Sequence, residues 1–212
     1  VVHGGQKKAV ITAKLLHGLG WTTPVEWAAV LSDACTRHDI NTSKRVALFL
    51  ANTEHESNGG RALRENLNYT PAALVAQWPK YFSPTYAEEL GHTANHAADQ
   101  KAIADAAYGG RMGNVNLGDG WRFIGRGLMQ TTGRNNYERL AQTLGMLVDD
   151  LPGWIETKEG AAESAAFFWS ANGCNELADL GAVTKCRVRI NGGANGLKDV
   201  QDRYAKALRL LG

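Results

Sequence analysis

The chain has 212 residues, 44% of them hydrophobic and 21% charged, a balance that excludes a disordered chain and suits one globular domain with its own core. Its formal net charge of +2 is too small to argue for a nucleic-acid partner, and no apolar run approaches the roughly 18 residues that a membrane span needs. Three cysteines, Cys35, Cys174 and Cys186, are an odd number without C-x-x-C spacing, which argues against a disulfide framework or a thiolate zinc site and for buried free thiols.

Residues Val1 to Lys8 lack the apolar core of a secretory leader, so the chain as given reads as a cytosolic product. The first helix signal is Thr23-Pro24-Val25-Glu26, a cap, a proline suited to the first helical position and a capping-box Glu, and it predicts a helix through Trp27 to about Thr36. Asn41, Thr42 and Ser43 offer caps for a segment with Val46, Phe49, Leu50 and Thr53 on one stripe, and Thr70-Pro71 and Ser83-Pro84 repeat the signal. Helices are also expected over residues 97–108, 135–145, 158–171 and 197–211, the last with Leu197, Val200, Tyr204, Leu208 and Leu211 along one face. The glycine-rich stretch from Tyr108 to Gly127 reads as a long surface loop of the kind that carries binding residues. Period-two alternation bounded by hairpin turns is missing, so the fold class is mainly α with few or no short strands. No repeat, low-complexity tract or long linker sets off a second module, which gives a single domain over residues 1–212.

Cleaving a glycosidic bond takes two carboxyl groups, one donating a proton to the leaving oxygen and one activating water or attacking carbon. Glu54 and Glu56 fall at the end of the helix that carries Phe49 and Leu50. Glu65 follows once Ser57-Asn58-Gly59-Gly60 has ended that helix, and the two glycines can reverse the chain to bring Glu65 back toward Glu56. Glu56 against an apolar helix face has the surroundings of a proton donor, and Glu65 in a polar loop those of an ionised partner. Periodicity does not separate Glu54 from Glu56, because both lie at the edges of the stripe, and three solvated surface carboxylates fit the same composition.

A second cluster runs from Gly125 through Arg126-Gly127-Leu128-Met129-Gln130-Thr131-Thr132-Gly133-Arg134-Asn135-Asn136 to Tyr137. Its amides and hydroxyls are suited to sugar hydroxyls, N-acetyl groups or a positioned water. It fails as a dinucleotide loop, with Gln130 where the third Gly belongs, and as a phosphate loop, with no following Gly-Lys-Ser/Thr.

Taken together, His55-Glu56-Ser57, Glu65-Asn66-Leu67-Asn68-Tyr69 and the run from Gly125 to Tyr137 resemble glycoside hydrolase family 19, and within it the phage endolysin branch, relatives of the plant and bacterial chitinases. The similarity covers most of the chain from about residue 44, with Ile190-Asn191-Gly192-Gly193 and Arg203 also fitting. The resemblance implies a lysozyme-like, bilobed helical fold around a cleft and an inverting mechanism. In that mechanism Glu56 is the general acid, Glu65 the general base and Thr132 the hydroxyl that holds the attacking water. It places Tyr69, Gln130, Asn136 and Tyr137 on sugar-binding positions, Asn191 on a late substrate-contacting Asn, and Arg203 on an Arg of the binding set that supports the acid. Thr70, soon after Glu65, is read instead as a helix cap before Pro71. The short interval between Glu56 and Glu65 favours the endolysin branch over the plant chitinases, whose base comes later.

The same resemblance implies peptidoglycan glycan strands as substrate and a monomer without cofactor or stable membrane insertion. It further implies dependence on a holin-type membrane partner for passage from the host cytoplasm to the periplasm and cell wall. A chitinase acting on β-1,4-linked N-acetylglucosamine is the alternative enzyme, and a non-catalytic carbohydrate binder the alternative class. The latter is disfavoured because both carboxylates and the hydroxyl are present. His55-Glu56 begins like a zinc-protease motif, but Gly59 stands where the second His belongs, and His92 and His96, four residues apart, lack a third ligand, so no metal is expected. Of the six Trp, Trp27 and Trp169 read as core and Trp121 as a candidate stacking platform, while Arg122, Arg126 and Arg134 form a basic run that fits either an anionic polymer or a solvated face.

Overall fold

The computed structural model describes residues 9–212, so the reading of Val1 to Lys8 lies outside the described residues. Among the described residues the helices in chain order are α1 (Ala13–Leu19), α2 (Pro24–Arg37), α3 (Ser43–Ser57), α4 (Pro71–Gln77), α5 (Pro84–Leu90), α6 (Gln100–Tyr108), α7 (Asp119–Arg122), α8 (Arg134–Leu144), α9 (Leu151–Ile155), α10 (Lys158–Ala171), α11 (Cys174–Asp179), α12 (Val183–Asn191) and α13 (Leu197–Leu211). Extended pairing among them is limited to two isolated antiparallel bridges, so the mainly α expectation holds. Among the described residues no helix is long and apolar enough to cross a membrane.

Local chemistry explains most boundaries. Thr42, Thr70 and Ser83 each accept a hydrogen bond from the backbone N–H three residues on, and Pro71 and Pro84 occupy first helical positions where no N–H is needed. Thr157 caps α10 in the same way, accepting from Gly160 at 3.1 Å. Thr23 departs from expectation. Its backbone is left-handed (φ 37°) and its side chain makes no cap bond, so α2 starts on Thr23's carbonyl, which accepts from Glu26 at 3.1 Å and Trp27 at 3.2 Å. Glu26 does not close a capping box but ion-pairs with Lys158 at 2.6 Å.

The chain divides into two compact units. The first holds the described residues through Leu63 together with Gly127–Gln130 and Gly153–Gly212. Its centre is α3, with Val46, Ala47, Leu48, Phe49, Leu50 and Ala51 fully buried, so this helix is apolar nearly all round and is enclosed by its neighbours. The longest face covering it is that of α13, while α10 lies against α2. Trp27 and Trp169 are core residues: Trp169 meets Phe49 edge-on at 5.5 Å and donates its indole N–H to Asn175 at 2.9 Å. Cys35, Cys174 and Cys186 are buried free thiols.

The second unit holds Arg64–Arg126 and Thr131–Pro152. Leu67, Leu74, Phe82, Ala87, Ile103, Ala104, Ala107 and Ile124 form its core, edged by Tyr69, Trp78 and Tyr108, whose rings meet at 5.3 to 6.0 Å. The stretch from Tyr108 to Gly127 is not the surface loop expected. Asn114, Asp119, Gly120, Phe123 and Ile124 are buried within it, and α7 interrupts it. Burial there is made tolerable by polar partners: Asp119 pairs with Arg134 at 2.7 Å, and Asn114 accepts the Arg134 backbone N–H at 2.8 Å.

Candidate active site

Glu56 lies in the first unit and Glu65 in the second. In the first, the last two turns of α3 put Glu54 and Glu56 in different surroundings, a distinction periodicity could not make. Glu54 is buried and ion-paired with Arg203 of α13, which also donates to Asp199 at 2.6 Å; Asp199 in turn meets His55 Nδ1 at 2.6 Å. Glu56 keeps 21% of its side chain exposed and ion-pairs with Arg187 of α12, whose side chain is 1% exposed. Arg187 is anchored from behind by the Asn195 carbonyl at 2.7 Å, while Asn52 Oδ1, at 3.5 Å, is at the limit of a hydrogen bond.

This corrects the assignment of Arg203. The guanidinium that supports Glu56 is Arg187, and Arg203 is committed to Glu54 and Asp199 rather than to a binding surface. It also corrects the expected apolar setting of Glu56, since a buried cation stands beside it. The loop that carries Asn195 must pass close to α3: at Gly196 (φ 71°) a Cβ would come within 2.3 Å of His55 Nε2, so only glycine fits.

In the second unit, the bridges Arg64↔Arg126 and Arg126↔Thr131 align three short backbone segments. Their antiparallel register puts Gly125 opposite both Glu65 and Thr132, with Glu65 and Thr132 two segments apart, about 10 Å between backbones at ordinary strand spacing. Glu65 and Gly125 pair reciprocally: the Glu65 N–H donates to the Gly125 carbonyl at 2.9 Å, and the Gly125 N–H donates to Glu65 Oε2 at 3.1 Å. Its other oxygen, Oε1, accepts from the Tyr108 hydroxyl at 2.5 Å. Both carboxylate oxygens therefore accept, an arrangement that suits an anion. Burial, then Glu65, pushes the Tyr108 and Tyr69 hydroxyls up from the ordinary phenol value, so both remain protonated donors.

The other expected site residues divide. Tyr69 is half-buried with its ring edge-on to Trp78 at 5.3 Å, and the Thr132 carbonyl accepts from Asn136 Nδ2 at 2.8 Å, with Asn136 exposed. Gln130 holds a left-handed backbone (φ 52°) and donates to the Gly127 carbonyl at 3.3 Å; a non-glycine residue in that region stores strain of the kind found at ligand clamps. Asn191 is exposed at the C-terminal end of α12. Tyr137 is a correction: it is fully buried, with its ring on Phe123 at 5.0 Å and its hydroxyl donating to the Ile124 carbonyl at 2.9 Å, so it packs the unit instead of meeting sugar.

Of the basic run, Arg126 and Arg134 are consumed internally, whereas Arg122 is exposed in a surface ion pair. Arg126 is buried and donates to the Arg122 carbonyl at 2.7 Å, Arg122 meets Asp149 at 3.0 Å, and Arg134 holds Asp119. Trp121 has the Arg64 guanidinium 4.6 Å from its ring centre, so one face is covered. His92 and His96 are exposed and lie between α5 and α6, not on a helix; among the described residues no group of three His, Cys, Asp or Glu is placed to hold a metal ion.

Sequence reasoning missed Tyr108 and Arg187. Arg187 had a signal in Cys186-Arg187-Val188-Arg189, an Arg beside a residue type that is usually buried, because an interior guanidinium needs an anion. Tyr108 had none, since its partner lies 43 residues away.

No family profile matches the chain. A curated protein of Haemophilus influenzae, named a glycosyl hydrolase family 19 domain-containing protein, is 37% identical over 170 residues, covering 78% of this chain and 77% of that one. Among solved structures, chitinase C from Streptomyces griseus HUT6037 superposes with a TM-score of 0.64 at 16% identity, covering 99% of this chain and 96% of that one. A bacterial family 19 chitinase follows at a TM-score of 0.60 and 20% identity, covering 95% of each chain. At those identities the two structures establish the helical fold alone. The Haemophilus relative establishes more: the chain belongs to glycosyl hydrolase family 19 and is a glycoside hydrolase.

Proposed function

We propose that the chain is a lysozyme-type endolysin, hydrolysing β-1,4 bonds of bacterial peptidoglycan with Glu56 as general acid, Glu65 as general base and Thr132 as the hydroxyl that holds the water. The observation that carries the two-carboxylate assignment is that both motif glutamates are held in place, Glu65 by hydrogen bonds from two neutral donors and Glu56 by a single buried guanidinium; which of them gives the proton is taken from the family resemblance. Because the mechanism inverts, water attacks the anomeric carbon from the face opposite the departing oxygen. Glu65 takes the water's proton and Glu56 gives one to the leaving sugar. Asn136 and Asn191, both exposed amides, and Tyr69 and Gln130, half-buried, are the sugar contacts in this reading.

What supports peptidoglycan is the short interval from Glu56 to Glu65, which resembles the endolysin branch. In that role the monomeric enzyme accumulates in the host cytoplasm and reaches the periplasm and wall when a holin-type partner opens the inner membrane. The competing reading is a chitinase, favoured by the names of both solved structures it resembles. Purified peptidoglycan and chitin oligomers, each digested with the wild type and with Glu56→Gln, then reduced and analysed by mass spectrometry, decide between them. New muramic-acid ends that vanish in the variant are expected. New glucosamine ends from peptidoglycan would make it a glucosaminidase. Cleavage of chitin alone would make it a chitinase, and no new ends from folded protein would leave a binder. Lysis on expression without any membrane-breaching partner would overturn the proposed route to the wall.

A further inference from the structure

We infer that Tyr108 is the positioning residue for the general base. The inference rests on Glu65 being that base and adds a residue that the family resemblance did not point to. The Glu65 side chain has free torsions and stands in a loop, so its carboxylate needs external restraint to present one oxygen repeatedly to a water. Two donors supply it. The Gly125 N–H fixes Oε2 from the paired backbone segment, and the Tyr108 hydroxyl fixes Oε1 at 2.5 Å.

Tyr108 is itself held in place. It closes α6, its ring meets Trp78 edge-on at 6.0 Å, and its carbonyl accepts from the buried Asn114 side chain at 3.0 Å. Asn114 also accepts the Arg134 backbone N–H at the start of α8, so the hydroxyl is aimed by a chain of packed and hydrogen-bonded groups, not by a free side chain. Arg111, its guanidinium 4.2 Å from the Tyr81 ring centre and 6.0 Å from that of Tyr108, closes the outer side of the ring. The phenol stays protonated beside the carboxylate, because burial and the Glu65 hydrogen bond both oppose its ionisation. It orients the base without competing for the proton that the base accepts.

The test is Tyr108→Phe, which removes one oxygen and leaves the ring against Trp78. A hydrogen bond to a charged group is worth enough that kcat should fall about 10- to 100-fold, with KM within about threefold of wild type. The same loss is expected on an aryl glycoside whose leaving group needs no proton, the substrate on which Glu56→Gln should recover. Installing 4-aminophenylalanine at position 108, which donates an N–H from nearly the same place, should restore part of kcat. Unchanged kcat, a loss confined to KM, or a loss that disappears on the aryl glycoside would overturn the inference. If Phe prevents folding, the 4-aminophenylalanine protein serves alone. A reduced kcat equal on both substrates supports the role, and wild-type kcat in spite of the weaker donor overturns it. Glu65→Gln separates the two levels: full activity there sinks the assignment of Glu65 as base, whereas an inactive Glu65→Gln beside an unaffected Tyr108→Phe sinks only the positioning role.

Discussion

Replacing Arg187 by Met tests the support of Glu56 most directly, because Met fills much of the stem's volume and removes only the charge and its donors. Arg187 makes two good hydrogen bonds, to the Glu56 carboxylate and to the Asn195 carbonyl at 2.7 Å, and one marginal contact with Asn52. Bonds of this charged type contribute about 1.5 to 3 kcal/mol each, but a 1% exposed guanidinium has also lost its water, and Met avoids that cost. The net destabilisation works out at about 2 to 4 kcal/mol, read from urea unfolding. The part that belongs to the Glu56 pair is smaller, about 1 to 2 kcal/mol, because 21% of the Glu56 side chain meets solvent, which screens the pair. A double-mutant cycle of Arg187→Met with Glu56→Gln isolates it. Activity should fall at least tenfold in Arg187→Met as Glu56, the proposed acid, loses its fixed position. A coupling energy indistinguishable from zero, together with wild-type activity in folded Arg187→Met, would refute the assignment of Arg187 as the acid's support.

Other expectations follow from single contacts. Asp119 is held below the ordinary carboxylate range by its hydrogen bond with Arg134, so the stability this adds is present above the unfolded value of about 3.9 and drains away as pH falls through the folded one. Asp119→Asn should therefore melt about 5 to 10 °C below wild type at neutral pH, with the gap closing in acid; a gap of constant size would count against the pair. Gly60→Ala should cost about 2 to 4 kcal/mol, because the backbone is left-handed (φ 78°) and the new Cβ would lie 2.6 Å from the Trp27 indole nitrogen. Unfolding midpoints equal to wild type would exclude that crowding. Thr157→Ala should cost about 1 kcal/mol by freeing the Gly160 N–H, and Thr157→Asp should recover most of it.

What was legible in the residues was whatever a few neighbours decide. Thr42, Thr70 and Ser83 cap helices by reaching three positions ahead, and the buried stripe through Val46, Phe49 and Leu50 identifies α3 as interior. The helices α11 and α12 were missed because neither opens on a side-chain cap and both are short. Thr23 misled for a different reason: its left-handed backbone satisfies the first N–H groups of α2 through the carbonyl, so a cap-forming residue is present but its hydroxyl is not used. The supports of the two carboxylates were beyond local reading altogether. Arg187 reaches Glu56 across 131 positions and Tyr108 reaches Glu65 across 43, and the aromatic position expected to touch sugar, Tyr137, turned inward because its hydroxyl finds a backbone carbonyl there. An amphipathic side chain with a polar tip is compatible with either outcome until its surroundings are known.

The separation in sequence between α3 and what holds its end has a consequence for how the enzyme comes into being. Glu54 and Glu56 leave the ribosome more than a hundred residues before Arg187 of α12 and before Arg203, which belongs to α13, the helix that lies along α3. The apolar helix that carries the two glutamates therefore depends, for the partners of both carboxylates, on contacts of high sequence separation, which close slowly. The groups that hold those two carboxylates are among the last fifth or so of the chain to be made. A nascent chain stalled before Val183 would carry every residue of the Glu56 and Glu65 motifs and still lack the guanidinium that holds Glu56.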